Sequence, residues 1–135
     1  CGLFGVAWLR RVGAPWSGAI AGAIALMAAP FMRHNWELNL TTALSWLPAM
    51  LLAVEELRAK PGVDRAAWLA LATASCGAVG SPPALYFAGT FMALYALVRA
   101  GAQWRYLLLA ALLTGAMLCV VLVPGLELAH HSVQA

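Results

Sequence analysis

Long apolar runs separated by short polar turns are the dominant pattern along this chain. A helix needs about 20 apolar residues to cross a bilayer, and helices satisfy their own backbone hydrogen bonds in lipid. The pattern therefore predicts an all-α polytopic transmembrane helical bundle of about five spans, preceded by a helical stub over residues 1–9. The five runs cover residues 16–32, 40–57, 66–80, 83–98 and 104–123.

The two runs in the middle, 66–80 and 83–98, are short for spans. At about 1.5 Å per residue they reach about 22–24 Å, whereas a hydrocarbon core is about 30 Å thick. They form either two full spans that extend into their flanks or one re-entrant hairpin. Both versions bring the chain back to the same side at Arg99, so the charge pattern does not separate them.

Basic residues occupy every second turn between the runs. Because cytoplasmic loops of membrane proteins are enriched in Lys and Arg, these turns predict the orientation in a bacterial inner membrane. The loops predicted to be cytoplasmic are 10–15 with Arg10 and Arg11, 58–65 with Arg58, Lys60 and Arg65, and 99–105 with Arg99 and Arg105. The loops predicted to be extracytoplasmic are 33–39, 80–83 and 125–135.

The composition agrees with a membrane-embedded chain. Hydrophobic residues make up 64% of the sequence and charged residues 10%, whereas a soluble domain is about half apolar and about a quarter charged. The net charge of +3 sits at helix ends and forms no continuous patch, so no nucleic-acid partner is expected. We expect residues 1–135 to form a single transmembrane region of a larger membrane protein, with the bilayer and the rest of that protein as partners.

Several local signals predict how the helices pack and end. Gly18 and Gly22 form a GxxxG motif, which favours close helix contact within the molecule or in a dimer. Pro30 is expected to kink or end its helix, and Pro48 to kink the second span. Pro124 and Gly125 are expected to end the last helix. Asp64 is expected to cap a helix. Glu55 and Glu56 are interpreted as solvated charges at the cytoplasmic end of the second span.

Candidate chemistry lies on the predicted outer side. Acid, base and amide side chains in that combination could bind an anionic head group or transfer protons. For each residue taken alone, a loop side chain that meets water and lipid head groups is the simpler explanation. The adjacent His130 and His131 diverge by about 100° on a helix and have no third ligand at a suitable spacing, so no metal site is expected. The sequence identifies no cofactor. The candidate substrate-binding residues are Arg33, His34, Asn35, Glu37 and Glu127.

Three ordered motifs resemble the bacterial YfhO-like membrane proteins. They are His34-Asn35 followed by Ser45-Trp46-Leu47-Pro48 and Glu55-Glu56-Leu57, then Gly80-Ser81-Pro82-Pro83-Ala84-Leu85-Tyr86, then Pro124-Gly125-Leu126-Glu127-Leu128 with Ser132. Together they cover about residues 10–135. The chain departs from the family pattern at Ser81 and Pro83, where the family has His and Gln.

The resemblance implies a function as well as a fold. The family is usually placed beside the GT-C glycosyltransferases, which use polyprenyl-phosphate sugars at the outer face. The resemblance implies that an outer pocket is lined by Arg33, His34 and Glu127. It also implies that the catalytic acid lies upstream of this region. The alternative is a non-enzymatic polytopic protein, either a structural subunit of a membrane complex or a transporter component. A proton- or ion-coupled carrier is disfavoured because every ionisable residue lies near a span end.

Overall fold

A computed structural model of the chain describes residues 2–28, 40–79 and 82–133. Within these ranges the protein is helical and contains no strand, which confirms the all-α prediction. A 3₁₀ turn, Gly101–Gln103, connects the last two helices. The helices are α1 (Gly2–Arg11), α2 (Trp16–Ala28), α3 (Leu40–Leu44), α4 (Leu47–Ala59), α5 (Val63–Ala78), α6 (Pro82–Ala100) and α7 (Trp104–Val133).

Helix α4 lies at the centre of the bundle. It packs against α1, α5 and α6, while α2 packs on α1 and α7 runs along α5. It also contributes most of the large side chains that are fully buried, among them Met50, Val54 and Leu57. The rest of the core is rich in alanine, which lets neighbouring helix backbones approach closely.

Helices α1 and α2 form a hairpin whose contact depends on small residues. The turn between them contains Gly13 with φ of +104°, a backbone conformation that favours glycine. A Cβ on Gly22 would lie 2.7 Å from Leu9 Cδ1, and one on Gly5 would lie 3.5 Å from Ala23 Cβ. Contact within the molecule, one of the two readings of the GxxxG motif, is therefore confirmed at Gly22.

The second predicted span is interrupted where a kink was expected. Helix α3 ends at Leu44, a turn follows at Ser45 and Trp46, and α4 begins at Leu47. Pro48 then occupies the first turn of α4, where its missing N–H costs no intrahelical hydrogen bond. The backbone N–H of Met50 still donates to the carbonyl of Trp46, at 3.0 Å. Pro30 lies outside the described residues.

The prediction that Pro124 and Gly125 end the last helix is wrong. Helix α7 continues through Pro124 to Val133, so the segment from 125 onward is helical over its described part. Proline removes one backbone hydrogen bond and crowds the preceding turn, but it does not have to stop a helix when the residues after it favour that conformation. Leucine and alanine, which dominate positions 126–129, are strong helix formers.

The prediction that Asp64 caps a helix is also wrong. Helix α5 is capped by Gly62, whose carbonyl accepts a hydrogen bond from the N–H of Ala66 at 3.1 Å, and no side chain caps it. Asp64 lies within the first turn, and its carboxylate pairs with Arg65 Nε at 3.2 Å. An acid in the first turn still stabilises a helix through the dipole without acting as its cap.

One stretch of the described chain, Tyr86–Val120, is long and apolar enough to cross a membrane by length and composition. It includes most of α6, the 3₁₀ turn and about half of α7. Helix α2 is a shorter apolar helix. The prediction of about five spans goes beyond this single stretch.

Candidate functional site

The structure does not test the predicted substrate-binding site. The loop that carries four of them lies outside the described residues. Glu127 lies on the last part of α7, where the helix is described but its side chain is not. A shared outer pocket therefore stays a prediction for the whole set. The four loop residues are Arg33, His34, Asn35 and Glu37.

A cluster of charged side chains lies at one end of the bundle, around Glu55. Glu55 is only 1% exposed, which makes it the one buried charged residue of the described chain. Arg99 approaches it with two nitrogens: Nε lies 2.7 Å from Oε1, and Nη2 lies 3.1 Å from Oε2. This bidentate contact is the strongest geometry available to an Arg–carboxylate pair. The interpretation of Glu55 as a solvated charge is therefore wrong.

Further donors complete what we call the Glu55 cluster: Trp8, Glu55, Arg58, Tyr95 and Arg99. Tyr95 Oη donates to Glu55 Oε1 at 2.7 Å, and Arg58 Nε donates to Oε2 at 3.1 Å. Trp8 Nε1 in turn donates to Tyr95 Oη at 3.3 Å. The cluster thus connects α1, α4 and α6 at one end of the bundle.

The local sequence explains why these groups meet. Glu55 follows Leu51 by four residues, so it continues the buried face of α4. Tyr95 and Arg99 have the same spacing on α6 and therefore point to one side of that helix. This spacing was the signal available in the sequence. It does not reveal that the two faces lie opposite each other, because the partners are 40 and 44 residues apart in the sequence.

The neighbouring acid, Glu56, has a different environment. It lies on the outer side of α4, where its side chain is 29% exposed, and it pairs with Arg65 at the start of α5. Here the prediction of a charge at the helix end in contact with solvent fits. Two adjacent glutamates therefore serve two contacts: Glu55 joins α4 to α6, and Glu56 joins α4 to α5.

The charged residues of the described chain, apart from Glu127, all lie at this same end. Helix α1 ends there, α4 ends and α5 begins there, and α6 turns into α7 there. The group contains seven basic and three acidic residues, which gives a net charge of +4. Two of the arginines also stack on tryptophan rings: Arg10 lies 4.8 Å from the ring centre of Trp16 and Arg105 5.7 Å from that of Trp104.

The hydrogen bonds of Glu55 define what the cluster can do. Each carboxylate oxygen already accepts two hydrogen bonds, which uses about all of its acceptor capacity. A carboxylate in this state is poorly placed to take a proton from a substrate. The arrangement instead suits a structural contact that fixes three helices relative to one another. Among the described residues, no three His, Cys, Asp or Glu side chains could hold a metal ion.

An apolar groove of about 490 Å³ lies between α5, α6 and α7. The hydroxyls of its two threonines, Thr73 and Thr114, donate to carbonyls of their own helices at 2.8 Å. The groove therefore offers an almost wholly apolar surface. Its lining includes Leu69, Gly89, Ala96, Leu107, Ala111 and Gly115.

Comparison with known proteins adds no relative. No protein-family model, no curated protein and no solved structure matches this chain.

Proposed function

We propose that this chain belongs to a YfhO-like multi-pass protein of the bacterial inner membrane. In this proposal the protein takes part in transferring sugars from polyprenyl-phosphate donors to cell-envelope polymers or lipids at the outer face. The observation that carries the membrane part is the separation of charge: described charged side chains gather at one end of an otherwise apolar bundle. The sugar-transfer part comes from the resemblance of the sequence motifs.

The exposed surface of the bundle supports a lipid environment. Large apolar side chains on α6 and α7 face outward, including Phe87 (68% exposed), Val98 (84%), Leu112 (65%) and Val120 (76%). Soluble monomers seldom expose contiguous apolar patches larger than a few hundred Å². Lipid chains would cover these side chains without cost, because hydrocarbon is as apolar as leucine.

The chain reversal within the stretch Tyr86–Val120 supports more than one crossing of the membrane. The 3₁₀ turn reverses the chain, since residues of α6 and α7 line the same groove from opposite sides. The two helices contain 19 and 30 residues and so extend about 28 and 45 Å, close to or above a core of about 30 Å. We therefore assign α6 and α7 as separate spans of a bundle of about five.

The proposed sugar-donor site lies at the outer end, opposite the Glu55 cluster. Arg33 would bind the donor phosphate, because its planar fork presents several donors at once. His34, Asn35, Glu37 and Glu127 would complete the pocket around the donor or the acceptor. The Glu55 cluster would contribute from a distance, by fixing α4, which the short helix α3 connects to the outer loop.

The topology can be tested by labelling single cysteines in the full chain after removal of the native ones. Trp36→Cys in intact cells should react with a membrane-impermeant maleimide, because loop 33–39 is assigned to the outer side. Lys60→Cys should react only after the cells are permeabilised. Labelling of position 60 in intact cells, with protection of position 36, would overturn the proposed orientation.

Sugar transfer can be tested in the full-length protein with a polyprenyl-phosphate sugar as donor. Arg33→Ala, His34→Ala and Glu127→Ala should each lower kcat/KM by about tenfold or more, the effect of losing one charge-assisted hydrogen bond of about 1.5 kcal/mol. Arg11→Ala, a basic residue at the opposite end, is the matched control and should keep full activity. Unchanged transfer in all three variants would exclude this site.

The second candidate is a non-enzymatic subunit of a membrane complex or transporter. The observation that favours it is the Glu55 carboxylate, whose acceptor capacity is filled by contacts within the bundle. A bundle fixed in this way suits a packing subunit as well as an enzyme. A full-length protein that is correctly oriented, transfers no sugar and copurifies stoichiometrically with another membrane protein would favour this candidate.

A further inference from the structure

We propose that two Arg–Trp pairs at the basic end of the bundle, Arg10 with Trp16 and Arg105 with Trp104, bind the head groups of anionic phospholipids. In each pair the guanidinium contacts the lipid phosphate, and the indole ring lies among the neighbouring lipids at the membrane surface. This inference depends on the proposed membrane location and is independent of sugar transfer.

The basic residues at this end differ in what they contact. One group pairs with glutamates of α4 inside the bundle and consists of Arg58, Arg65 and Arg99. Arg10 and Arg105 have no ion pair among the described residues and lie over tryptophan rings instead, 4.8 and 5.7 Å from the ring centres. The charges of these two arginines are therefore not compensated within the described bundle.

The tryptophans of the two pairs are also distinctive, because they are exposed. Trp16 is 63% exposed and Trp104 58%. The other described tryptophans are partly buried against the core: Trp8, Trp46 and Trp68. Exposed tryptophan at a helix end is typical of the membrane–water interface, where the ring meets lipid and its N–H meets polar head groups.

Both pairs lie at the start of a helix on the outside of the bundle. Trp16 is the first residue of α2 and Trp104 the first residue of α7. Helix α2 packs on α1 and α7 runs along α5, so both are one layer away from the central α4. Lipids surround a bundle, whereas a soluble acidic protein would dock on the flat end where α4 stops. The position of the pairs therefore favours lipid.

The contact with the ring leaves the donors of each arginine available to a phosphate. A guanidinium that lies over an aromatic ring uses its face, and its N–H groups remain at the edge. Arg10 uses Nη1 on the carbonyl oxygen of Ala14, at 2.9 Å. Arg105 has no such hydrogen bond among the described residues, so its pair should be the stronger site. The ring also restrains the guanidinium, which lowers the entropy lost when a phosphate binds.

The probes are dioleoyl phosphatidylglycerol and dioleoyl phosphatidylcholine, titrated into the full chain in detergent and measured by native mass spectrometry. Two molecules of the anionic lipid should bind, each about fivefold more tightly than the choline lipid, the effect of one basic side chain on one negative charge. Arg105→Ala should leave one such molecule, and the double variant with Arg10→Ala should leave none. Binding of the choline lipid should stay unchanged.

Arg11→Ala is the matched control, because it removes the same exposed side chain one residue after Arg10 and has no ring beneath it among the described residues. It should retain both anionic lipids. Equal losses in the Arg10, Arg11 and Arg105 variants would show that only the net charge of this end attracts lipid, and the proposed sites would then be rejected.

The role of the ring is tested at position 104. Trp104→Leu keeps an apolar side chain but removes the aromatic face, and it should weaken the binding of one anionic lipid by about threefold. Trp104→Phe keeps an aromatic face and should restore most of the affinity. Unchanged affinity in Trp104→Leu would reject the Arg–Trp pair as the unit of binding.

Equal affinity of the unmodified protein for the two lipids would also overturn the inference. Cysteine labelling at positions 36 and 60 distinguishes this failure from a failure of the membrane proposal. Correct labelling without a lipid preference rejects the head-group sites alone, and reversed labelling rejects the orientation on which they depend.

Discussion

Replacing Glu55 by alanine is expected to lower the free energy of unfolding by about 3 kcal/mol. Removing one partner of a buried ion pair typically costs about 3–5 kcal/mol, because the remaining charge is left without compensation. We place the value at the lower end because the Arg99 side chain is 34% exposed and can partly turn to water or lipid head groups. Tyr95 also loses its acceptor at 2.7 Å.

The neighbouring glutamate supplies the matched control for this experiment. Glu56→Ala removes the same side chain from a partly exposed pair with Arg65 and should cost less than about 1 kcal/mol. Both values can be measured by equilibrium unfolding of the full chain in mixed micelles. A loss at Glu55 no larger than that at Glu56 would show that the Glu55 cluster does not stabilise the bundle.

A double-mutant cycle separates the ion pair from other effects of the substitution. In the absence of Glu55, Arg99→Ala should cost little, so the coupling energy between the two positions should be about 2 kcal/mol. A coupling near zero would mean that the cost at Glu55 comes from lost packing or from the other three members of the cluster.

Local sequence pattern alone does not predict that Glu55 is buried. The basic clusters were visible as a repeating pattern, and in the structure the turns that carry them meet at one end of the bundle. Which of two adjacent acids turns inward was not visible, because that depends on which helix lies opposite. Tyr95 and Arg99 supply that surface from 40 residues away or more, and local spacing carries no such information.

Helix boundaries show a related limit. A kink at Pro48 was anticipated, because a proline inside a helix removes one backbone hydrogen bond and crowds the preceding turn. The structure has a full break there, with Pro48 in the first turn of a new helix. The continuation through Pro124 was not anticipated, since a proline within an apolar run can either bend or end a helix. Of the predicted site, Arg33 to Glu37 lie outside the described residues, so that part stays a prediction that experiments on the full chain must decide.

The second large effect on the free energy of unfolding is expected for a substitution in the buried face of α4. Met50→Ala should lower the free energy of unfolding by about 3 kcal/mol. Met50 is fully buried at the centre of the bundle, so its truncation removes dispersion contacts and leaves a cavity between helices. Large-to-alanine changes at such sites cost about 2–5 kcal/mol. Much of the surrounding core is alanine, whose short side chains cannot move into the space.

Met117→Ala is the matched control, because it makes the same change on α7 at a position that is 42% exposed. The two substitutions alter helix propensity equally, so their difference isolates burial. Met117→Ala should stay within about 0.5 kcal/mol of the unmodified protein. Equal losses at the two positions would mean that α4 does not hold the central place in the bundle, and the cluster at its end would then lose its role in fixing α1 and α6.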